Sequence, residues 1–169
     1  MEDLDGDGRI ESANQRADRN WNEILQELRV AQTGTQILGG FLLAVAFQPR
    51  FHDLDAVQLV WYLVLVGLAG IAAVLGLAPV SLHRTFFGRG RKPDIVRLGG
   101  RLLIADLVVL ALLAAGVTGL VFDFAVGRIA GMIALGFGVV IVLGLWIALP
   151  RAIFRRASAP DRRGPGDGD

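Results

Sequence analysis

Residues 59–80 read LVWYLVLVGLAGIAAVLGLAPV and contain no charged side chain. The hydrocarbon core of a bilayer is about 30 Å thick, and an α-helix needs about 20 apolar residues to cross it. In hydrocarbon, the hydrogen bonds of the backbone are satisfied only in helices or closed barrels. Barrel strands alternate apolar and polar residues, and this stretch shows no such alternation. Trp61 and Tyr62 lie near its beginning, as expected at a membrane interface. The stretch therefore predicts a transmembrane helix.

Three more segments are rich in apolar residues. One carries Asp106 within its apolar run, one carries no charge, and the first is the weakest because polar side chains occupy its first two turns. The whole chain is 53% hydrophobic and 20% charged, which is more apolar and less charged than a typical soluble domain. We therefore predict an all-α fold, a four-helix transmembrane bundle over residues 31–150. The predicted spans are residues 31–48, 57–80, 99–122 and 129–149.

The residues before the first span have a helical pattern of their own. They follow a Gly- and Asp-rich start, residues 1–12, which we expect to be flexible. Their apolar residues recur at i, i+3, i+4 and i+7, the spacing of one helix face. These are Trp21, Ile24, Leu25 and Leu28. The stripe predicts an N-terminal amphipathic helix over residues 13–30 at the cytoplasmic membrane surface, or alternatively a docking helix for a partner protein. Since no strong breaker follows, we expect one long helix that enters the membrane.

Basic residues decide the predicted orientation. Fifteen of the 17 Lys and Arg residues lie in the N-terminal region, between the second and third spans, or after the fourth span. The other two connections carry only Arg50 and Arg128. Because basic residues favour the cytoplasmic side, we expect a multi-pass protein of the bacterial cytoplasmic membrane with both termini in the cytoplasm. Residues 151–169 predict a basic and then disordered tail.

The composition also bears on chemistry. The absence of cysteine excludes disulfides, thiolate catalysis and cysteine metal sites. A formal net charge of +1 gives no indication of a nucleic-acid partner. His52 and His83 fall on opposite sides of the predicted membrane, and the chain has no nucleophile motif and no phosphate-cradling glycine loop. We therefore predict no enzymatic activity and no cofactor.

Asp106 is the carboxylate within a predicted span, where an Asp at the helix centre costs about 2.5–3.5 kcal/mol on insertion scales. It lies five residues after Arg101, which is about 7–8 Å along a helix and within the inner leaflet. The polar residues of the first span enter from the same side. We predict a structural polar cluster of Asp106 with one or more of Gln32, Thr33 and Gln36. A protonatable site on an ion path and a carboxylate exposed to headgroups or water are the alternatives.

Residues 3–10, DLDGDGRI, match the first eight positions of a calcium-binding EF-hand loop. Asp3, Asp5 and Asp7 would supply oxygens at positions 1, 3 and 5. Position 12 is Asn14, where a bidentate Glu is required, and only two residues precede the loop. A solvated acidic tail is therefore favoured, with a weak calcium site as the alternative.

The segment Arg84–Arg97, RTFFGRGRKPDIVR, interleaves two phenylalanines with basic residues. A loop that sets the topology is the favoured interpretation, and contact with anionic lipid headgroups is the alternative. Its basic residues are Arg84, Arg89, Arg91, Lys92 and Arg97.

Small residues at a spacing of four mark the third span, and others mark the fourth, including Gly131 and Gly138. The ridge on the third span consists of Ala111, Ala115 and Gly119. Small side chains let helices approach closely in lipid. We expect these faces to pack inside the bundle, with a homodimer face as the alternative.

The stretch Arg19–Leu38, RNWNEILQELRVAQTGTQIL, resembles an uncharacterised family of small actinobacterial membrane proteins, a domain of unknown function. Residues 48–51 (QPRF), 78–84 (APVSLHR) and 120–123 (LVFD) are similar as well, so the resemblance covers about residues 15–150. It implies a four-helix integral membrane protein. Some similar sequences carry an automatic sodium:proton antiporter label, and no catalytic residue is implied.

Two functions are consistent with these patterns. The first is a non-enzymatic scaffold or regulatory membrane protein, favoured by the amphipathic helix and the short outer connections. The second is a small oligomeric proton or cation transporter, favoured by Asp106 and its predicted polar neighbours. The expected partners are the lipid bilayer and either a second copy of the chain or another membrane or cytoplasmic protein.

Overall fold

Four long helices make up the part of the chain that the computed structural model describes, residues 12–86, 92–148 and 151. No strand occurs in these residues, so the predicted all-α fold is confirmed. The helices are α1 (Ala13–Val45), α2 (Ala56–Phe86), α3 (Lys92–Ala125) and α4 (Arg128–Leu143). A 3-10 turn, Pro49–Asp53, lies between α1 and α2, and a π-helical turn, Gly144–Ala148, continues α4.

Three of the described helices are long and apolar enough to cross a membrane, as expected of a membrane protein. The qualifying stretches are residues 56–82, 95–125 and 128–146. They cover three of the four predicted spans. Helix α1 is not among them, because Gln32, Thr33, Thr35 and Gln36 lower its hydropathy. That residues 31–48 cross the membrane therefore stays a prediction.

Helix α1 joins the predicted amphipathic helix and the first apolar segment without a break, which confirms the expectation of one long helix. It begins with a reciprocal capping box, in which the Gln15 main-chain N–H donates to Ser12 Oγ at 3.3 Å and the Ser12 N–H donates to Gln15 Oε1 at 2.8 Å. Such boxes satisfy two of the free donors at a helix start. With 33 residues, α1 is about 50 Å long.

Buried positions recur every seven residues on α1, α2 and α3. This is the repeat of helices that keep one seam towards their partners by coiling around each other. The buried series are Trp21, Leu28, Thr35 and Leu42 on α1, Gln58, Leu65, Ala72 and Pro79 on α2, and Gly99, Asp106, Leu113 and Leu120 on α3. These three helices therefore share one core, in which Leu42, Leu65 and Leu113 belong to the same cluster.

The apolar stripe of the N-terminal half of α1 lies within the protein. Trp21 packs against Gly99 of α3, where a Cβ would lie only 2.7 Å from Trp21 Cζ3. Leu28 is also buried. Trp21 and Leu28 of the predicted stripe thus pack inside the bundle, whereas Ile24 and Leu25 are half-buried. That this helix lies at the membrane surface stays a prediction.

Helix α4 packs on α3. A Cβ at Gly138 would lie 3.0 Å from Ala115 Cβ, and one at Gly119 would lie 3.0 Å from Leu135 Cβ. Ala115 and Gly119 of the predicted small-residue ridge therefore lie at an internal packing face. Helix α3 is central, since it contacts each of α1, α2 and α4.

The two ends of the bundle differ. The short-loop end carries the connections α1–α2 and α3–α4, and the basic end carries the start of α1, the end of α2 and the start of α3. Helices α2 and α3 have 31 and 34 residues and are about 46 and 51 Å long, which exceeds a hydrocarbon core of about 30 Å.

Candidate functional site

A polar network at the short-loop end links three helices. Asp55 precedes α2, and its Oδ1 accepts hydrogen bonds from the main-chain N–H groups of Val57 and Gln58, both at 2.8 Å. Gln58 Oε1 in return accepts the Asp55 N–H at 3.0 Å. Asp is a favoured N-cap because its short side chain reaches these free donors. The start of α2 therefore fixes both side chains in place.

The same two side chains reach the α3–α4 corner. Gln58 Nε2 donates to Asp123 Oδ1 at 2.5 Å, and Arg128 donates to Asp55 Oδ2 at 2.5 Å. Arg128 Nε also lies 3.3 Å from Asp123 Oδ2, within ion-pair distance but not aligned as a hydrogen bond. The Asp123 side chain is only 1% exposed. The network thus compensates a buried carboxylate with an amide and a guanidinium.

Electrostatics reinforce this arrangement at Asp55. Hydrogen bonds from the Gln58 main chain, and then the Arg128 side chain and its charge, hold the pKa of Asp55 below its ordinary value of 3.8, although desolvation partly opposes them. Asp55 is therefore an anion at neutral pH, as its bond with Arg128 requires.

Neighbouring aromatic contacts close the same end. The Tyr62 hydroxyl donates to the Leu42 main-chain oxygen at 2.9 Å, and Leu42 carries one of the last four carbonyls of α1, which lack a helical partner. The Phe51 ring meets the Tyr62 ring edge-on, with centroids 5.0 Å apart. These contacts hold the 3-10 turn against α1 and α2.

Asp106 lies in the seam between α3 and its neighbours and is completely buried. Neither carboxyl oxygen has a hydrogen-bond partner. Since Trp21 packs against Gly99, the shared seven-residue repeat places Leu28 level with Asp106.

The predicted polar cluster around Asp106 does not form, which corrects the sequence interpretation. Gln32 lies four residues past Leu28, about 6 Å further along α1, and its Nε2 donates to the Gly76 main-chain oxygen of α2 at 2.9 Å. Thr33 is exposed, and its hydroxyl donates to the Arg29 main-chain oxygen. Gln36 is exposed as well.

The remaining sequence-predicted sites are only partly described. Arg97 is exposed on the first turns of α3. Arg84 and Lys92 fall in the terminal turns of α2 and α3. Arg89 and Arg91 lie outside the described residues, as do all three aspartates of the calcium motif. These are Asp3, Asp5 and Asp7.

Chemically, the two acidic sites differ in kind. Asp123 is compensated by Gln58 and Arg128, which the starts of α2 and α4 supply, so it stabilises the short-loop end. Asp106 has no such compensation, and burial of an unpaired polar group is unfavourable. Asp106 is therefore the candidate for a role beyond packing.

Sequence reasoning missed the network at the short-loop end. It placed Asp123 in a loop, whereas the residue belongs to the last turns of α3. Its partner Gln58 is 65 positions away. The available signal was a lone Arg128 beside Asp123 on the side of the bundle that carries few basic residues.

Comparison with known proteins identifies a family and leaves the activity open. No match was found among curated proteins or among solved structures. The model of the family of unknown function DUF6328 matches residues 10–150, which include all of α1 to α4. The chain therefore belongs to the family of unknown function DUF6328.

Proposed function

We propose that this protein is a non-enzymatic scaffold or regulator of the bacterial cytoplasmic membrane, and that the basic end of its bundle binds a protein partner in the cytoplasm. The observation that carries the proposal is the first half of α1. Trp21 and Leu28 of its apolar stripe are buried inside the bundle, and most of its exposed side chains are polar.

Every exposed position between residues 22 and 29 carries a polar side chain. The polar surface of this half of α1 consists of Asn22, Glu23, Gln26, Glu27 and Arg29. The Arg19–Glu23 pair, 3.7 Å apart, lies on this surface, and exposed pairs of this kind contribute little to stability. A helix whose polar face stands clear of lipid is a suitable surface for a soluble or peripheral protein.

Helix lengths support the placement of this surface outside the bilayer. Helices α1 to α3 are each about 15–20 Å longer than a hydrocarbon core. They end together with α4 at the short-loop end, so the excess length lies at the basic end. The distribution of arginine favours the cytoplasm for that end.

The orientation is tested with single cysteines, because the natural chain contains none. Asp53→Cys reports on the short-loop end and Asn22→Cys on the basic end. We expect a membrane-impermeant maleimide to label the first variant in intact spheroplasts and the second only after permeabilisation. The reverse pattern would refute the cytoplasmic placement.

Partner binding is tested by photo-crosslinking in the native host. Benzoylphenylalanine is placed at Gln26, on the polar surface, and at Val60, an exposed residue of α2, as the matched control. We expect one discrete protein adduct from Gln26 that disappears in the Glu27→Lys background, and no such adduct from Val60. Identical adducts at both positions, or none at Gln26, would contradict the proposal.

A second candidate is proton or cation transport, which only Asp106 favours. Its buried carboxyl without a partner is the type of group that marks ion paths in membranes. Protein reconstituted in liposomes is expected not to dissipate a pH gradient in a sodium-dependent manner. If it does so, and Asp106→Asn abolishes the flux, transport replaces the scaffold function.

A further inference from the structure

A cleft at the short-loop end lies outside the polar network. It is about 380 Å³ in volume and lies between the end of α1, the 3-10 turn and the end of α3. Its walls are mainly apolar, with Phe41, Val45, Val117 and Val121 among them. This volume falls within the usual range of about 300–1,000 Å³ for ligand sites.

The cleft is elongated along α3. Its lining extends from Val117 to Ala125, eight residues or about 12 Å along the helix axis. An apolar passage of this length suits a hydrocarbon chain. Its outer end coincides with the end of a stretch that is apolar enough to span a membrane, residues 95–125.

A cation lies at the mouth of the cleft. The Arg50 guanidinium carbon is 4.7 Å from the centroid of the Phe124 ring, and both residues line the cleft. The ion pair of Arg50 with Asp53 is long, 3.7 Å, and both side chains are mostly exposed, at 75% and 63%. Such a pair holds the guanidinium only weakly.

The second basic residue of this end behaves differently. Arg128 is engaged by Asp55 and by the buried Asp123. Arg50 is thus the cation of the short-loop end with donors to offer an anion, and Arg is well suited to bidentate binding of phosphate.

We propose that this cleft binds an anionic phospholipid, with one acyl chain between α1 and α3 and the phosphate on Arg50. The arrangement of the lining residues supports this assignment, because the apolar cleft ends at the Arg50 guanidinium, at the level where lipid headgroups lie. The proposal rests on the membrane placement proposed above.

The test uses the purified full-length chain in dodecyl maltoside, mixed with equal amounts of phosphatidylglycerol and phosphatidylcholine. Native mass spectrometry then counts the retained lipids. We expect one phosphatidylglycerol to be retained in preference to phosphatidylcholine. Arg50→Gln should reduce this preference about tenfold, the effect of losing one charge-assisted hydrogen bond, whereas Arg50→Lys should retain most of it.

A cleft-filling variant tests the acyl-chain site separately. Val121→Trp, on the cleft wall, should abolish retention of the lipid. Val60→Trp is the matched control, because Val60 is equally apolar and exposed but lies on another face. Both variants are checked by circular dichroism for native helix content, so that misfolding is not read as lost binding.

Several results would overturn the proposal. These are an unchanged lipid preference in Arg50→Gln, equal retention by the two tryptophan variants, or binding of palmitate in place of phosphatidylglycerol with the same dependence on the cleft. Retention in detergent does not depend on which side of the membrane the loops occupy. Failure of the maleimide orientation experiment and failure of lipid binding are therefore distinguishable.

Discussion

Gln32 of α1 donates a hydrogen bond from its side-chain amide to the main-chain oxygen of Gly76 in α2, 2.9 Å away. Gly76 precedes Pro79 by three residues, and Pro79 lies inside α2. A proline in a helix removes the donor to the carbonyl four residues earlier, here that of Leu75, and crowds the preceding turn. The adjacent carbonyl of Gly76 accepts from Gln32, so the neighbouring helix supplies a side-chain donor to the turn that Pro79 disturbs.

Gln32→Leu is expected to destabilise the protein by about 0.6 kcal/mol, and at most about 1.7 kcal/mol, the measured range for hydrogen bonds between membrane helices. Pro79→Ala should reduce this cost, because the restored N–H regularises the preceding turn. The measurement is a double-mutant cycle from unfolding in mixed micelles. Gln36→Leu serves as the control, since Gln36 is exposed and should show no loss.

Gly131→Ala is expected to disrupt the α3–α4 contact. A Cβ at this position would lie 2.5 Å from Asp123 Cβ and 2.8 Å from its Cα, and the backbone of α3 cannot move aside as a side chain can. Overpacking of this kind costs about 1–3 kcal/mol. Gly136→Ala is the matched control, with nothing within 4 Å of its Cβ, and should be neutral or stabilising. Equal unfolding midpoints for the two variants would contradict the packing described for α4.

The helices and their number follow from the sequence because uninterrupted apolar runs exclude alternatives in lipid. The sequence does not show in the same way which side chains face another helix and which face lipid. In α2 the buried Leu65 and the exposed Leu63 are chemically identical, because both core and lipid are apolar. Hydrophobicity alone therefore does not reveal the seven-residue repeat of buried positions. It becomes visible only when helices are packed against each other.

The candidate sites show the same limit. Asp106 was recognisable as an unusual residue because it interrupts an apolar run. The neighbours of Asp106 could not be recognised in the same way. Depth along the helices suggested Gln32, whereas the packing of α1 on α3 brings Leu28 to the level of Asp106. The network around Asp123 depends on the residue at which α3 ends. Hydrophobic pattern does not fix that residue to within one or two positions, so the sequence did not reveal the network.

Gly99→Ala is expected to release the first half of α1 from α3. Its Cβ would lie 2.7 Å from Trp21 Cζ3, so the indole must leave its site. Faster hydrogen exchange of amides in residues 13–30 and a red-shifted tryptophan emission should report the release. Gly100→Ala, one residue on, has nothing within 4 Å and should leave both readouts unchanged. Unaltered exchange in Gly99→Ala would show that α3 does not hold this half of α1.

Acid should weaken the short-loop end through Asp55. Because its pKa is lower in the folded protein than the ordinary 3.8, its hydrogen bonds contribute fully above the unfolded-state value and are lost as pH falls through the folded-state value. We expect the unfolding temperature of the natural chain to fall between about pH 5 and about pH 3 more than that of Asp55→Asn, which keeps an N-cap oxygen but does not titrate. Parallel curves for the two proteins would exclude this linkage.

Asp106→Val distinguishes a structural from a functional role for the buried carboxyl. An unpaired polar group in an apolar seam costs about 1–3 kcal/mol, and valine removes it while adding little volume. If Asp106 serves a function, its removal should therefore increase the free energy of unfolding by about that amount. Leu113→Ala, at the next buried position of the repeat, is the control and should destabilise by about 2–5 kcal/mol. A destabilised Asp106→Val protein would mean that Asp106 has a stabilising partner, and the residue would then be part of the packing rather than a site kept at the expense of stability.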